Sequence, residues 1–275
     1  MTKHNVTGGN RINLVVHEFG KPNGPEIVLI HGYAQSHLCW QKQIDSALAD
    51  EFRLLCVDNR GHGESDKPPA SENYNMSLPW ADDVFNVIET LCNAKPVLVG
   101  WSYGGYIIND FVDTHGQDRI AGINYVAAGA ARSDEFRHLS KGSVVGPLMP
   151  LMLSDNLAEF IDGTRKFLRA CFEIQPTAEE FEIALAYNTM VPANIRAAMF
   201  DRQFDGKSAL ESLHIPVLVT QGMEDQVIRP AIAEYILSHV SHAHASWYEG
   251  IGHSPFMEAA DRFNNELAAF TRACN

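Results

Sequence analysis

The sequence predicts an α/β protein: a mostly parallel central sheet flanked by helices, interrupted once by a helical insertion. Three observations carry that expectation. Short runs continuous in valine, leucine and isoleucine recur along the chain, as strands buried on both faces of a parallel sheet require. Longer amphipathic stretches lie between them. One stretch of roughly 70 residues offers no strand at all.

The strand candidates, in order, are "INLVVHEF", "EIVLIHG", "RLLCVDNR", "PVLVGWS", "GINYVAAG", "PVLVTQG" and "ASWYEG". Helical patterns such as "SLPWADDVFNVIETLC", "RPAIAEYILSHV" and "EAADRFNNELAAFTRAC" separate or follow them. Strand, helix, strand in this order implies right-handed crossovers with helices on both faces. The core is therefore assigned to residues 1–132 and 206–275, with 133–205 as the insertion. Within the insertion, "NLAEFIDGTRKFLRACF" sets Leu157, Phe160, Ile161, Thr164, Leu168 and Cys171 on one helical stripe. "TAEEFEIALAYNTM" and "PANIRAAMFDRQ" read as two further helices. The segment is too long for a connecting loop. It is expected to be a helical lid (cap) over the strand ends; extra core helices remote from any site are the alternative.

Composition narrows the partners. The chain has 275 residues, 45% hydrophobic and 20% charged, with a formal net charge of −13. So acidic a chain exerts no electrostatic pull on nucleic acid or an anionic bilayer. Five cysteines, Cys39, Cys56, Cys92, Cys171 and Cys274, are scattered without a C-x-x-C pair. They are expected to be reduced thiols of a cytoplasmic protein rather than a disulfide frame or a zinc site. The start "MTKHNVTGGNRINLVV" lacks a signal peptide's apolar stretch, and no apolar run approaches the ~20 residues that span a bilayer.

In such sheets ligands sit beyond the carboxyl ends of the strands, so the residues after each strand are where chemistry is sought. "VGWSYGG" follows one strand and precedes a helix. Gly100-Trp101-Ser102-Tyr103-Gly104 is G-x-S-x-G in the strand–turn–helix context of a nucleophile elbow. The turn is sharp, and side chains at the flanking glycines would collide with the neighbouring strand and helix. A phosphate-binding loop is excluded by the absence of G-K-[ST] and of G-x-G-x-x-G spacing. A serine hydroxyl needs a base. Among twelve histidines, His253 in "GIGHSPFMEA" lies after the last strand and before the final helix. His31 in "IHG" and His62 in "RGHGES" also follow strands and are assigned to loop structure. The base needs an orienting carboxylate. "VLVTQGMEDQVI" supplies Asp225, in the chain order Ser102, Asp225, His253, with Glu224 as the competing choice.

Five motifs in order, "HGYAQS", "DNRGHGESDKP", "GWSYGG", "GMEDQVI" and "GIGHSPF", resemble those of the α/β-hydrolase superfamily over nearly the whole chain. The resemblance implies the α/β-hydrolase fold and points to Asp225 as the acid. It also implies an oxyanion hole from the backbone N–H groups of Tyr33 and Tyr103. Serine at the elbow sets the chain apart from relatives similar to haloalkane dehalogenases and epoxide hydrolases, which need a carboxylate there. The acid after the late strand sets it apart from cofactor-free dioxygenases. Hydrolysis of carboxylic esters, lactones or thioesters remains, with perhydrolase or haloperoxidase-like chemistry, carbon–carbon bond hydrolysis and a slow ligand receptor as alternatives. "GWS-GG", "PF-EA" and "IRAAMFD" are locally similar to acyl-homoserine lactone lactonases. The expected partner is a small ester or lactone, bound by a monomer or homodimer without metal or cofactor. Trp101, Phe167 and Met199 are expected to line the substrate pocket. The apolar lid residues, with the negative net charge, predict a preference for uncharged acyl groups.

Overall fold

The computed structural model describes residues 1–130, 144–202 and 204–275. The expected start of the lid, 133–143, lies outside the described residues, as does residue 203. Eight strands form one sheet: β1 (Thr2–Thr7), β2 (Asn13–Gly20), β3 (Glu26–Ile30), β4 (Arg53–Asp58), β5 (Val97–Trp101), β6 (Gly122–Val126), β7 (Val217–Gly222) and β8 (His244–Tyr248). Their spatial order is β1-β2-β4-β3-β5-β6-β7-β8. The β1–β2 and β2–β4 pairings are antiparallel and all others parallel.

Every residue of β3 to β7 is buried, which accounts for the continuous apolar runs. Alternation survives beneath them, because successive side chains point to opposite faces. Val28, Ile30 and Leu98 join the layer covered by the helices Ser77–Leu91, Tyr103–His115 and Ala231–His239. Ile27, Leu29, Val97 and Val99 join the opposite layer, with Trp40, Phe52 and the final helix Ala260–Cys274.

β1 was not among the strand candidates. "TKHNVT" is an edge strand that buries only Val6, so it carries no apolar run to read. The described part of the insertion, 144–202, holds the helices Val145–Met152, Leu157–Ala170, Ala178–Thr189 and Ala193–Asp201. Caps start two of them: Asn156 accepts the N–H groups of Ala158 and Glu159, and Thr177 with Glu180 forms a capping box. The expected stripe needs one correction. Leu157 is 70% exposed, because it opens its helix where nothing packs, and the buried face runs through Gly163, Thr164, Phe167 and Leu168.

Candidate active site

Ser102 stands alone between the end of β5 and the helix Tyr103–His115. Its φ of 54° and ψ of −114° cost a non-glycine residue roughly 1–3 kcal/mol. Three hydrogen bonds hold it there. Its N–H donates to Val126 O at 3.0 Å, and its carbonyl accepts from Gly105 N at 3.1 Å and Gly129 N at 2.9 Å. Both flanking glycines are sterically required. A Cβ on Gly100 would come 2.6 Å from Ile108 Cδ1 and 2.9 Å from Gly104 C, and one on Gly104 would run into the Ile30 carbonyl of β3. The hydroxyl faces the loop after β3, since a Cβ on Gly32 would lie 2.9 Å from Ser102 Cβ and 3.4 Å from its Oγ.

Of the two candidate acids it is Asp225, three residues past the end of β7, that reaches His253. Its Oδ2 lies 2.7 Å from His253 Nδ1, and both side chains are buried. Oδ1 accepts the N–H groups of Val227 at 2.7 Å and Ile228 at 2.9 Å, while Gln221 Nε2 donates to Oδ2 at 3.2 Å. Four donors saturate the carboxylate and fix its orientation. Glu224 is exposed; its backbone N–H is tied to Ile251 O at 3.0 Å, which turns its side chain away from this network. With Nδ1 directed at Asp225, His253 has Nε2 as its acceptor. Among the described residues no hydrogen bond joins Ser102 to His253, a contact that catalytic sites often tighten only with substrate.

Two buried histidines brace the loops after β3 and β4. Ala34, at φ 56°, donates its N–H to His62 Nε2 at 3.1 Å, and Asn59 N donates to His31 Nε2 at 3.1 Å. An imidazole that accepts at Nε2 is neutral there. Burial accounts for that state: it pushes His31 down to about 4 and His62 well below the ordinary histidine range.

With this geometry in place, comparison with known proteins is informative. The model of the alpha/beta hydrolase family matches residues 27–266. The chain belongs to the alpha/beta hydrolase family. A putative aryl esterase from Burkholderia cenocepacia is 32% identical with a TM-score of 0.94, covering 99% of both chains. The esterase RhEst1 from Rhodococcus sp. ECU1013 is 31% identical with a TM-score of 0.94, covering 100% of both. A non-heme chloroperoxidase from Burkholderia pyrrocinia is 27% identical over 98% of this chain and 99% of its own.

The helical insertion of this alpha/beta hydrolase meets both tyrosines expected to form the oxyanion hole. Phe167 packs edge-on against the Tyr33 ring at 6.1 Å, and Phe200 lies 4.6 Å from it. Met199 O accepts a long hydrogen bond from Tyr103 Oη at 3.4 Å. Arg202, just past the last cap helix, pairs with Asp110 of the helix behind Ser102. Burial pushes the Asp110 carboxyl up to about 7, with Arg202 opposing it. Trp101, expected at the pocket wall, is otherwise engaged: Nε1 donates to His253 O at 2.8 Å, and the ring packs on Phe256 at 4.8 Å and His253 at 5.6 Å. It supports His253 from the layer that also holds Trp40 and Phe256.

Two side chains that motif reading passed over hold the site together. Gln221 steadies Asp225. Glu258 accepts N–H groups from Gly252 at 3.1 Å and Ser254 at 3.2 Å, on either side of His253, and from Glu173 at 2.9 Å and Ile174 at 2.8 Å of the cap. Burial pushes its carboxyl up, and these four donors oppose the shift. No local signal marks such long-range contacts. A buried group of His17, His37 and Asp58 was also unforeseen. Ligand-competent atoms there lie within 4.8 Å of one another, but the two imidazoles stack at 3.5 Å and 16°, so their in-plane lone pairs run side by side instead of converging on one ion. Asp58 additionally accepts the backbone N–H groups of His37 at 2.8 Å and Glu64 at 2.9 Å. The arrangement is a hydrogen-bonded brace.

Proposed function

We propose that this alpha/beta hydrolase is a serine hydrolase of carboxylic esters or lactones, working through Ser102, His253 and Asp225 and an acyl-enzyme. Ser102 Oγ attacks the acyl carbonyl as His253 Nε2 takes its proton. The oxyanion meets the N–H groups of Tyr33 and Tyr103, each worth on the order of 3 kcal/mol in the transition state. Collapse expels the alcohol, which recovers the proton from His253. Water then repeats the sequence to release the acid. Asp225 holds the imidazole tautomer and stabilises the imidazolium without taking the proton.

The observation that carries this reading is Ser102 itself: a strained serine, boxed by Gly100 and Gly104, with its hydroxyl against Gly32 of the oxyanion loop. The 2.7 Å contact of His253 with Asp225 supports the base and acid. Two esterases alike over the full chain support the ester. In this reading residues 133–205 form a lid over the site, with Phe167 and Met199 beside the acyl group, and the enzyme works in the cytoplasm as a monomer or homodimer. No helix among the described residues is long and apolar enough to cross a membrane.

Replacing Ser102 by alanine is expected to lower kcat on the order of 10⁶-fold against p-nitrophenyl esters while the fold survives. A fluorophosphonate should label the wild type and not the variant. Labelling that persists in Ser102→Ala would remove Ser102 from the mechanism. The chloroperoxidase relative favours one second reading, in which hydrogen peroxide replaces water at the acyl-enzyme and releases a peracid. Peroxide-dependent halogenation of monochlorodimedone in acetate buffer, lost in Ser102→Ala, would identify it.

A further inference from the structure

We propose that Arg196 is a specificity-determining residue that receives a carboxylate at the far end of the substrate's acyl group. The inference rests on the ester-hydrolase reading above and names its substrate class.

Arg196 lies on the cap helix Ala193–Asp201 and is 1% exposed. Leaving a buried cation without an anion is costly, and the other buried arginines avoid it. Arg60 forks onto Asp83 at 2.6 and 2.7 Å, Arg53 reaches Glu18 and Glu26 at 2.8 Å each, and Arg202 pairs with Asp110. Among the described residues no carboxylate pairs with Arg196. Its Nε donates to Val191 O at 2.9 Å, and Nη2 donates to Asn188 O. Both carbonyls belong to the C-terminal end of the helix Ala178–Thr189 and the turn after it, where partial negative charge gathers. They anchor the guanidinium and steady its charge, yet they use only its Nε and Nη2 edge.

The remaining edge, Nη1, has no hydrogen-bond partner among the described residues. The cation stands 6.0 Å from the Tyr33 ring and 4.5 Å from the Phe160 ring. Tyr33 Oη is buried and makes no well-formed hydrogen bond; its polar interaction is with the Arg196 guanidinium itself. Tyr33 follows Gly32, which lies against Ser102. A buried guanidinium without a carboxylate and the phenol it reaches therefore stand together on the cap side of the oxyanion loop. The phenol can accept from the guanidinium as well as donate, but it leaves the positive charge unmatched, and an arginine remains charged in a protein. The ligand that satisfies both is an acceptor-rich anion. A planar carboxylate matches the guanidinium fork best. This reverses the preference for uncharged acyl groups expected from composition. The net charge of −13 acts at long range and is screened at physiological salt, over a Debye length of ~8 Å; Arg196 acts in contact.

The test compares p-nitrophenyl monoesters of glutarate and adipate with the pentanoate and hexanoate esters at physiological ionic strength. Wild type is expected to favour one carboxylate-terminated ester over its neutral counterpart by about 10-fold or more in kcat/KM, mostly through KM. Arg196→Met should erase that ratio; Arg196→Lys should keep part of it. Equal losses on both ester classes would reduce Arg196 to a helix cap and overturn the proposal. Wild-type rejection of every carboxylate-terminated ester would do the same. Calorimetric binding of monomethyl glutarate against dimethyl glutarate to Ser102→Ala reads the contact without turnover. Arg196-dependent binding without ester hydrolysis would strike the ester reading alone, whereas hydrolysis without the anionic preference would strike the role of Arg196 alone.

Discussion

Two buried aspartates, each at or just beyond the carboxyl end of a parallel strand, hold imidazoles in this molecule, and they are put to different uses. Asp225, after β7, binds one imidazole, two backbone N–H groups and Gln221. Asp58, ending β4, binds two imidazoles, with His37 Nδ1 at 3.0 Å and His17 Nε2 at 3.3 Å, and two backbone N–H groups. Burial raises the proton affinity of Asp58, but the hydrogen bonds from both histidines outweigh it and hold the carboxyl well below the ordinary range. The difference lies in what the rest of each ring meets. His17 and His37 stack on each other, and His17 Nδ1 is buried without a partner. His253 lies on the loop after β8, with Trp101 on its carbonyl. Identical residue types make a brace in one place, where two stacked imidazoles share one carboxylate, and a candidate base in the other, where a single imidazole has the carboxylate to itself.

Asparagine at each aspartate sharpens the contrast. Asp225→Asn should lower the kcat of the folded protein by about 10⁴-fold, because the amide favours the wrong tautomer of His253. Glu224→Gln, on an exposed side chain, should stay within about 2-fold of wild type; a large loss there would transfer the acid's role to Glu224. Asp58→Asn should instead cost stability, on the order of 3–5 kcal/mol, by leaving buried donors without their anion. If its urea midpoint holds while kcat collapses, Asp58 belongs to the chemistry and the contrast fails.

The smallest effect concerns acid. His31 binds its proton at about 4 when folded and near 6.5 when unfolded. Between those values the unfolded chain holds more protons, so stability falls as pH drops from about 6.5 to about 4. The loss from His31 alone is on the order of 3 kcal/mol. Urea midpoints across this window should fall in the wild type and fall less steeply in His31→Asn. Parallel slopes would acquit His31.

Much of this was written locally. Continuous apolar runs marked β2 to β8 because most of those strands are buried on both faces. The elbow was legible because its glycines answer a local steric demand that Ile30 and Ile108 confirm. β1 was not, having a single buried side chain. The helix Val145–Met152 was hidden by Gly146, Pro147 and Pro150, residues of poor helix propensity; it forms by packing against Leu157–Ala170. Leu157 fitted a helical stripe by spacing, but spacing does not say where the neighbours stop. Arg196, Gln221 and Glu258 look like ordinary polar residues until the chain brings distant backbone to them. Trp101 ends β5, and its bond to the His253 carbonyl joins residues 152 positions apart, which no local pattern marks.

Glu258 has a bearing on engineering. It rivets the His253 loop to the cap, and the cap contributes only the main-chain N–H groups of Glu173 and Ile174 to that joint. The side chains at 173 and 174 are therefore free to vary, while the path of the backbone is not. A cap transplanted from a relative to change substrate range would have to bring two consecutive amides to the same carboxylate. A graft that misses it would leave Glu258 two donors short and the histidine loop untied from the cap, so such chimaeras are better joined on the far side of residue 174 than before it.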